Sequence, residues 1–320
     1  MRLFSWDYRE STPRFRVCVI GDFGWNTSTD QTREDSLVRI ISSLNPDYII
    51  TTGDNWQGQE SPVPNNAYNY TVKTPFSKWF NEQTALNRFW PCYGNHDYDT
   101  GLYLNSTYGF SAVIPVDNYA SGLMQYTYVI RLWHPNSSNR SGLVNNSGVA
   151  PIAEFVFLSS EHLSAPYDGN QRTWLQQLNT NFPGTYTWRF IVIHKPIKLD
   201  NGVAAGMTTP DACHQTLDGS LDFRGNFGGA TAVFAGHHHF YERSEGLGIT
   251  QVICGCAAIP GQLREYVYSG IATNHKIGYQ LEQAIVNLDI SEGAVELTAL
   301  TVNGIIFDRK VWTRGITQIY

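Results

Sequence analysis

The segment Ala232–Arg243 runs Ala-Val-Phe-Ala-Gly-His-His-His-Phe-Tyr-Glu-Arg. A short apolar run bounded by glycine reads as a buried strand. Glycine lets the backbone approach closely at the strand's carboxyl end. Three of the chain's nine histidines follow it. In extended backbone, residues two apart point the same way, so His237 and His239 are expected to face one site and His238 to face away. Two imidazoles converging at a strand end present neutral nitrogen ligands to a borderline metal such as zinc or iron. The alternative is a histidine-rich surface tract, but such a tract needs no buried strand before it.

Working outward, the same construction recurs at other strand ends. Phe15–Ile20 is a β-rich run that ends at Gly21-Asp22-Phe23-Gly24. Gln31–Leu44 carries Leu37, Ile40, Ile41 and Leu44 at a helical period, and Asn45-Pro46 stops it. Asp47–Thr52 is a second strand, ending at Gly53-Asp54-Asn55-Trp56, which completes a βαβ unit. After a polar loop over Gln57–Tyr70 and an expected helix near Thr74–Leu86, Arg88–Tyr93 is a third strand, ending at Gly94-Asn95-His96-Asp97. Trp188–Ile193 is a strand that ends at His194. Open α/β sheets build their sites just past such carboxyl ends.

The rest fills out the scaffold. Tyr98–Ala120 is an aromatic loop, and His134–Val149 is an exposed excursion rich in Ser, Asn and Gly. Strands are expected at Gln125–Leu132, Ala153–Ser159 and Thr250–Cys254, with a helix over Gln171–Leu178. Ala284–Ile290, Ala294–Thr301 and Gly304–Trp312 read as an antiparallel set joined by turns. The domain reading is a lead segment over 1–15 and a single catalytic domain over 16–320. The fold expected is an α/β sandwich, two mixed sheets face to face with helices outside.

Composition bounds the function. At 320 residues, 42% hydrophobic and 16% charged, the chain suits a globular core rather than disorder. A net charge of −6 without a long basic run argues against binding nucleic acid through its phosphates. No apolar run reaches the roughly 18 residues a membrane span needs, and Met1–Phe15 has no apolar stretch typical of a signal peptide. Of five cysteines, Cys18, Cys92, Cys254 and Cys256 lie in apolar runs and read as buried free thiols. Asn-x-Ser/Thr sites at Asn69, Asn105 and Asn136 carry little weight in so asparagine-rich a chain.

Asp22, Asp54, Asn95, His194 and the His237/His239 pair thus stand at five strand ends. Mixed Asp, Asn and His ligands suit two cations bridged by one carboxylate, a clamp for in-line displacement at phosphorus. The order Gly-Asp-x-Gly, Gly-Asp-Asn, Gly-Asn-His-Asp, strand-His and Gly-His-x-His resembles the calcineurin-like metallophosphoesterase superfamily, from about Val17 to the C-terminal strands. Gly24, where most members place a metal-binding His, and Tyr241-Glu242-Arg243 resemble the purple acid phosphatase branch.

The resemblance implies the four-layer αββα architecture and a dinuclear centre of iron, zinc or manganese acting on a small phosphorylated substrate. Asp22 and His239 would bind the first metal, Asn95, His194 and His237 the second, and Asp54 would bridge them. His96 would donate a proton to the leaving group or hold the phosphate, while a metal-activated hydroxide attacks phosphorus. An extracellular or periplasmic setting would be in keeping with the branch.

One position departs from it. The branch has an iron-binding tyrosine three residues after the bridging Asp, and this chain has Gln57. Gln57 could offer a carbonyl oxygen or simply face solvent, and His238 or a water could fill in. The first site is then expected to be weak, or to accept zinc, manganese or iron(II). Monoester hydrolysis is the leading expectation. A phosphodiesterase or pyrophosphatase, on nucleotides or phospholipid headgroups, shares the metal set. A binding module with a decayed site is the rival from another class, supported by Gln57 and opposed by the six filled ligand positions.

Other polar residues read as structural. His134, His162, His214, Lys195 and Lys198 are expected in loops or at strand ends, and Asp97 and Asp99 are expected to orient His96 or cap a turn. Trp25, Trp56, Tyr68, Tyr70, Tyr98 and Tyr103 are expected to rim the site.

Overall fold

A computed structural model describes residues 14–24, 28–56, 69–81, 83, 86–99, 127–133, 151–160, 167–181, 187–196, 229–246, 249–257, 276–280 and 283–314. The first strand, β1 (Phe15–Ile20), passes through the Asp22 loop and leads to helix α1 (Ser28–Leu44). Strand β2 (Tyr48–Thr51) pairs parallel with β1, and β3 (Phe89–Pro91) pairs parallel with β2. The antiparallel set β11 (Ala284–Ile290), β12 (Ala294–Thr301) and β13 (Ile306–Thr313) joins them through β1, giving the order β13-β12-β11-β1-β2-β3.

The second sheet has seven strands. Its centre is parallel: β5 (Ala153–Phe157), β6 (Trp188–Val192), β7 (Ala232–Ala235) and β9 (Ile249–Cys254). Antiparallel β4 (Tyr128–Leu132) closes one edge, and β8 (Tyr241–Gly246) with β10 (Lys276–Gln280) closes the other. The expected two mixed sheets with flanking helices are therefore present.

Burial explains why the central strands read as continuous apolar runs. One core cluster joins inward residues of both sheets, including Val17, Val19, Trp90, Tyr128, Phe155, Phe157, Phe190, Phe234 and Leu288. Leu37 and Ile41 of α1 belong to the same cluster. A second cluster, with Val156, Ile191, Val233 and Ile253, lies under helix α3 (Tyr167–Asn181) through Leu175, Trp174 and Leu178. Strands covered on both faces need no polar alternation. At the end of α1, Asn45 takes φ 50°, the left-handed cap that asparagine tolerates, and Arg16 Nη1 donates to the Leu44 carbonyl at 2.7 Å.

Three local expectations change. The helix expected near Thr74–Leu86 is instead a π-helical turn at Asn69–Lys73 followed by hydrogen-bonded turns. Phe76, Trp79 and Phe80 keep a helical spacing for only one turn; all three are buried, and Arg88 N–H donates to the Trp79 carbonyl as the chain doubles back. Strands β8 and β10 are additional. Tyr-Glu-Arg-Ser-Glu-Gly looks polar, but it is laddered to β9 and β10, with Arg243 paired to Asp308 and Ser244 Oγ donating to Glu242 Oε1, which overrides intrinsic strand preference. β10 is a short edge strand with a register shift near Gly278, a weak sequence signal. The antiparallel trio, β1 and β7 appear where the sequence places them. The expected loops over 98–120 and 134–149 lie largely or wholly outside the described residues.

The two sheets are also joined by charge. Asp308 of β13 accepts from Arg243 Nε at 2.8 Å, Arg243 Nη2 at 2.9 Å and the Tyr241 hydroxyl at 2.6 Å. Burial opposes ionisation of Asp308, but the Arg243 and Tyr241 hydrogen bonds prevail and lower its pKa. A depressed folded-state pKa adds stability above the unfolded value of about 4 and loses it as pH falls through the lower folded value. Asp308→Asn is therefore expected to cost about 2 kcal/mol at pH 7. The gap to the parent should close below about pH 4, as read by urea unfolding across pH.

Candidate metal centre

The candidate ligands sit at the carboxyl ends of strands from both sheets. Asp22, Asp54 and Asn95 follow β1, β2 and β3 of the six-stranded sheet, and His194, His237 and His239 follow β6 and β7 of the seven-stranded one. Ligand atoms of Asp54, His194 and His237 lie within 4.8 Å of one another. Asn95 Oδ1 is 3.0 Å from His194 Nε2, and Asp54 Oδ1 is 3.3 Å from the same nitrogen. Beside this group, His239 Nε2 stands 3.4 Å from Asp22 Oδ1.

The local backbone is bent to achieve this. Four non-glycine residues among those described have positive φ, and three of them are Asp22 (55°), Asp54 (49°) and His237 (67°). The left-handed region is costly for residues with a Cβ and concentrates at functional positions. His237 therefore reaches the site from a bend rather than from the extended backbone expected. The bend is closed by His238 N–H to the Gly236 carbonyl and Phe240 N–H to the His238 carbonyl, both 2.7 Å. His238 nevertheless turns aside, its ring stacked on Phe240 at 5.5 Å between centroids.

Glycines make the close approaches possible. Gly53 has φ 101°, and a Cβ there would lie 2.4 Å from His194 Nδ1. A Cβ on Gly94 would lie 2.1 Å from Asp54 Oδ1. At Gly24 a Cβ would meet the Asn55 carbonyl oxygen at 1.7 Å, so the backbone leaves no room for the histidine that most relatives are expected to carry. Phe23, between Asp22 and Gly24, is buried edge-on to Phe76 and Phe89 and anchors the Asp22 loop.

Hydrogen bonds fix the donor set. The Thr52 carbonyl lies 2.8 Å from His194 Nδ1, so this nitrogen carries the proton and Nε2 faces Asp54 and Asn95. Outer hydrogen bonds of this kind orient a metal-binding imidazole. Burial alone would lower the His194 pKa; the Asp54 carboxylate outweighs it and raises the pKa to about 10. Burial likewise pushes Asp54 up, but His194 and His96 hold it at about 2. For His239, the Asp22 hydrogen bond and charge overcome the lowering effect of burial. Buried carboxylates and imidazoles compressed in this way hold a proton between them, and a cation can take that proton's place.

His96 lies in the short helix α2 (Asn95–Asp99), and its backbone N–H donates to Asp54 Oδ1 at 3.0 Å. Asp97 is completely buried and accepts from the backbone N–H groups of Gly94, Asn55 and Trp56. Burial first, and the Asp54 charge second, raise its pKa to about 7. Trp56, expected at the rim, is buried in the core. Gln57, Trp25, Tyr68, Tyr103, His134, His162, Lys198 and His214 lie outside the described residues, as do the side chains of Tyr70, Tyr98 and Asp99. Lys195 is half-buried, its N–H bonded to Ser160 Oγ. Cys18, Cys92, Cys254 and Cys256 are buried free thiols. No helix among the described residues is long and apolar enough to cross a membrane.

The profile for calcineurin-like phosphoesterases matches residues 15–241, most of the chain. The chain belongs to the calcineurin-like phosphoesterase family. Membership assigns this phosphoesterase scaffold to metal-dependent chemistry on phosphate esters. Solved structures similar to it include purple acid phosphatase PPD1 from yellow lupin (Lupinus luteus) seeds: TM-score 0.64, 14% identity, 96% of this chain and 55% of that one covered. GAP50, the anchor in the inner membrane complex of Plasmodium, gives TM-score 0.63 at 14% identity over 96% of this chain and 90% of that one. A dimetal phosphatase from Danio rerio gives 0.60 at 12% identity over 94% and 99%. At such identities these likenesses concern the fold of the phosphoesterase. No curated protein matches it by sequence.

Proposed function

We propose that this phosphoesterase hydrolyses phosphate monoesters at a centre for two metal ions. Asp22 and His239 would hold the first, Asn95, His194 and His237 the second, and Asp54 would bridge them. The observation that carries the reading is the grouping of Asp54, His194 and His237 with their ligand atoms within 4.8 Å, His194 held with Nε2 facing the site by the Thr52 carbonyl. Two cations bound by these oxygen and nitrogen donors would supply Lewis acidity and a nucleophile drawn from water at neutral pH. The chain's part is to fix Asp54 between the two ligand groups, to keep the histidines in the right tautomer, and to bring His96 beside the leaving group as proton donor or phosphate contact.

Metal content of protein purified without a histidine tag, together with rates on an aryl monoester and the matching diester, tests the reading. Two metals and a monoester rate well above the diester rate are expected. A dominant diester or pyrophosphate rate would move the assignment to a phosphodiesterase or pyrophosphatase. No turnover with no bound metal would leave a binding module on the same scaffold.

Gln57 adds a spectroscopic expectation. A purple colour needs tyrosinate bound to iron(III), and the position that supplies it in the branch is Gln57 here. The active protein should be essentially colourless, and its first site should accept zinc or manganese. An iron-loaded Gln57→Tyr variant should gain a visible band. A band in the parent protein that disappears when one tyrosine is changed to phenylalanine would show that another tyrosine reaches the metal.

A further inference from the structure

We infer that Asp97 is a positioning residue that sets the separation of Asp54 and Asn95 and thereby controls occupancy of the second metal site; this rests on the ligand assignment proposed above. The β2–β3 ladder pairs only Ile49–Thr51 with Phe89–Pro91, and one more bond follows, Cys92 N–H to the Thr51 carbonyl. Past that point the two ligand loops run on without ladder pairing between them. The Asp97 carboxylate spans the gap. Its Oδ2 accepts from Gly94 N–H at 2.8 Å, Asn55 Nδ2 at 3.0 Å and Asn55 N–H at 3.3 Å, and its Oδ1 accepts from Trp56 N–H at 3.2 Å. Three of these donors flank Asp54 and the fourth precedes Asn95. The reverse cross-link is His96 N–H to Asp54 Oδ1.

Four N–H donors converging on two oxygens require an acceptor at both. An amide of the same shape turns an NH₂ toward at least one donor and leaves it unpaired in the interior. The 53–56 loop then opens away from Asn95. The first site shares Asp54 with this loop, and Asp22 N–H donates to the Gly53 carbonyl at 3.0 Å, but Phe23 among Phe76 and Phe89 and His237 N–H on Asp22 Oδ2 also hold the Asp22 loop, so the first site loses less than the second.

The test is titration of metal-free protein with zinc(II), followed by calorimetry, and with cobalt(II), followed by visible absorption. Asn95→Ala and His239→Ala serve as markers for the second and first sites. In Asp97→Asn, affinity at the second site should fall by about 10–100-fold, the first should fall distinctly less, and the cobalt spectrum should match that of Asn95→Ala. With two cations bound by the parent, equal weakening of both sites, or an unchanged second site, overturns the role of Asp97. A parent that binds fewer than two cations overturns the ligand assignment and this inference with it. If Asp97→Asn does not fold, Asn55→Ala decides: it removes one of the four donors to the carboxylate, Asn55 Nδ2, and keeps the carboxylate and the three backbone donors. A smaller, still selective, second-site loss supports the role, and no loss overturns it.

Discussion

Asp54→Asn should reduce hydrolysis by about 10³-fold and lower metal content at both sites, because a bridging carboxylate neutralises two cations and a neutral amide neutralises none. Asp54 is buried and held by His194 and by the His96 N–H, so the substitution keeps the shape of the loop and removes its charge. Metal analysis after gel filtration reads the first effect, and turnover of an aryl phosphate at saturating metal reads the second. A variant that retains two metals and parental turnover would place the bridge elsewhere.

His96→Ala should lower kcat by about 10²–10⁴-fold while metal content stays intact, the range expected for a lost general acid. The loss should shrink as the leaving group becomes more acidic, because a good leaving group departs without a proton. A series of aryl phosphates gives this as a changed slope of log kcat against leaving-group pKa. Equal losses across the series would assign His96 to holding phosphate instead. The structure roots His96 beside Asn95 and ties its backbone to Asp54, so the same variant also checks that the loop survives without the ring.

Much of the fold was legible because strands buried on both faces, such as Trp188–Val192 and Ala232–Ala235, carry uninterrupted apolar sequence. The strand-end ligands were legible for a related reason: a polar residue after glycine at the end of an apolar run breaks the pattern visibly. What could not be read locally depends on long-range pairing. β8 is a strand because its backbone pairs with β9 and β10, and its Arg243 and Tyr241 side chains are met by Asp308, some 65 residues on. The single turn around Phe76 keeps helical spacing but not helical length. Trp56 looks like a loop aromatic until its neighbours are known. The clamp of Asp97 on Asn55 and Trp56 joins residues 42 and 41 apart, and its place directly after His96 in the third motif hinted only at orienting His96 or capping a turn.

That the six proposed ligands divide equally between the ends of the two sheets has a consequence for the whole molecule. The spacing between the two halves of the proposed ligand set follows the gap between the sheets, and that gap is the girth of the side chains filling it, Trp90, Tyr128, Phe155 and Phe190 among them. Sheets packed face to face stand about 10 Å apart, and a misplacement of about 1 Å can cost a reaction 10²-fold. Slimming one of those rings, far below the mouth of the site, draws one half of the ligand set toward the other. The aromatic filling thus acts as a calliper set deep in the protein and read out at its rim.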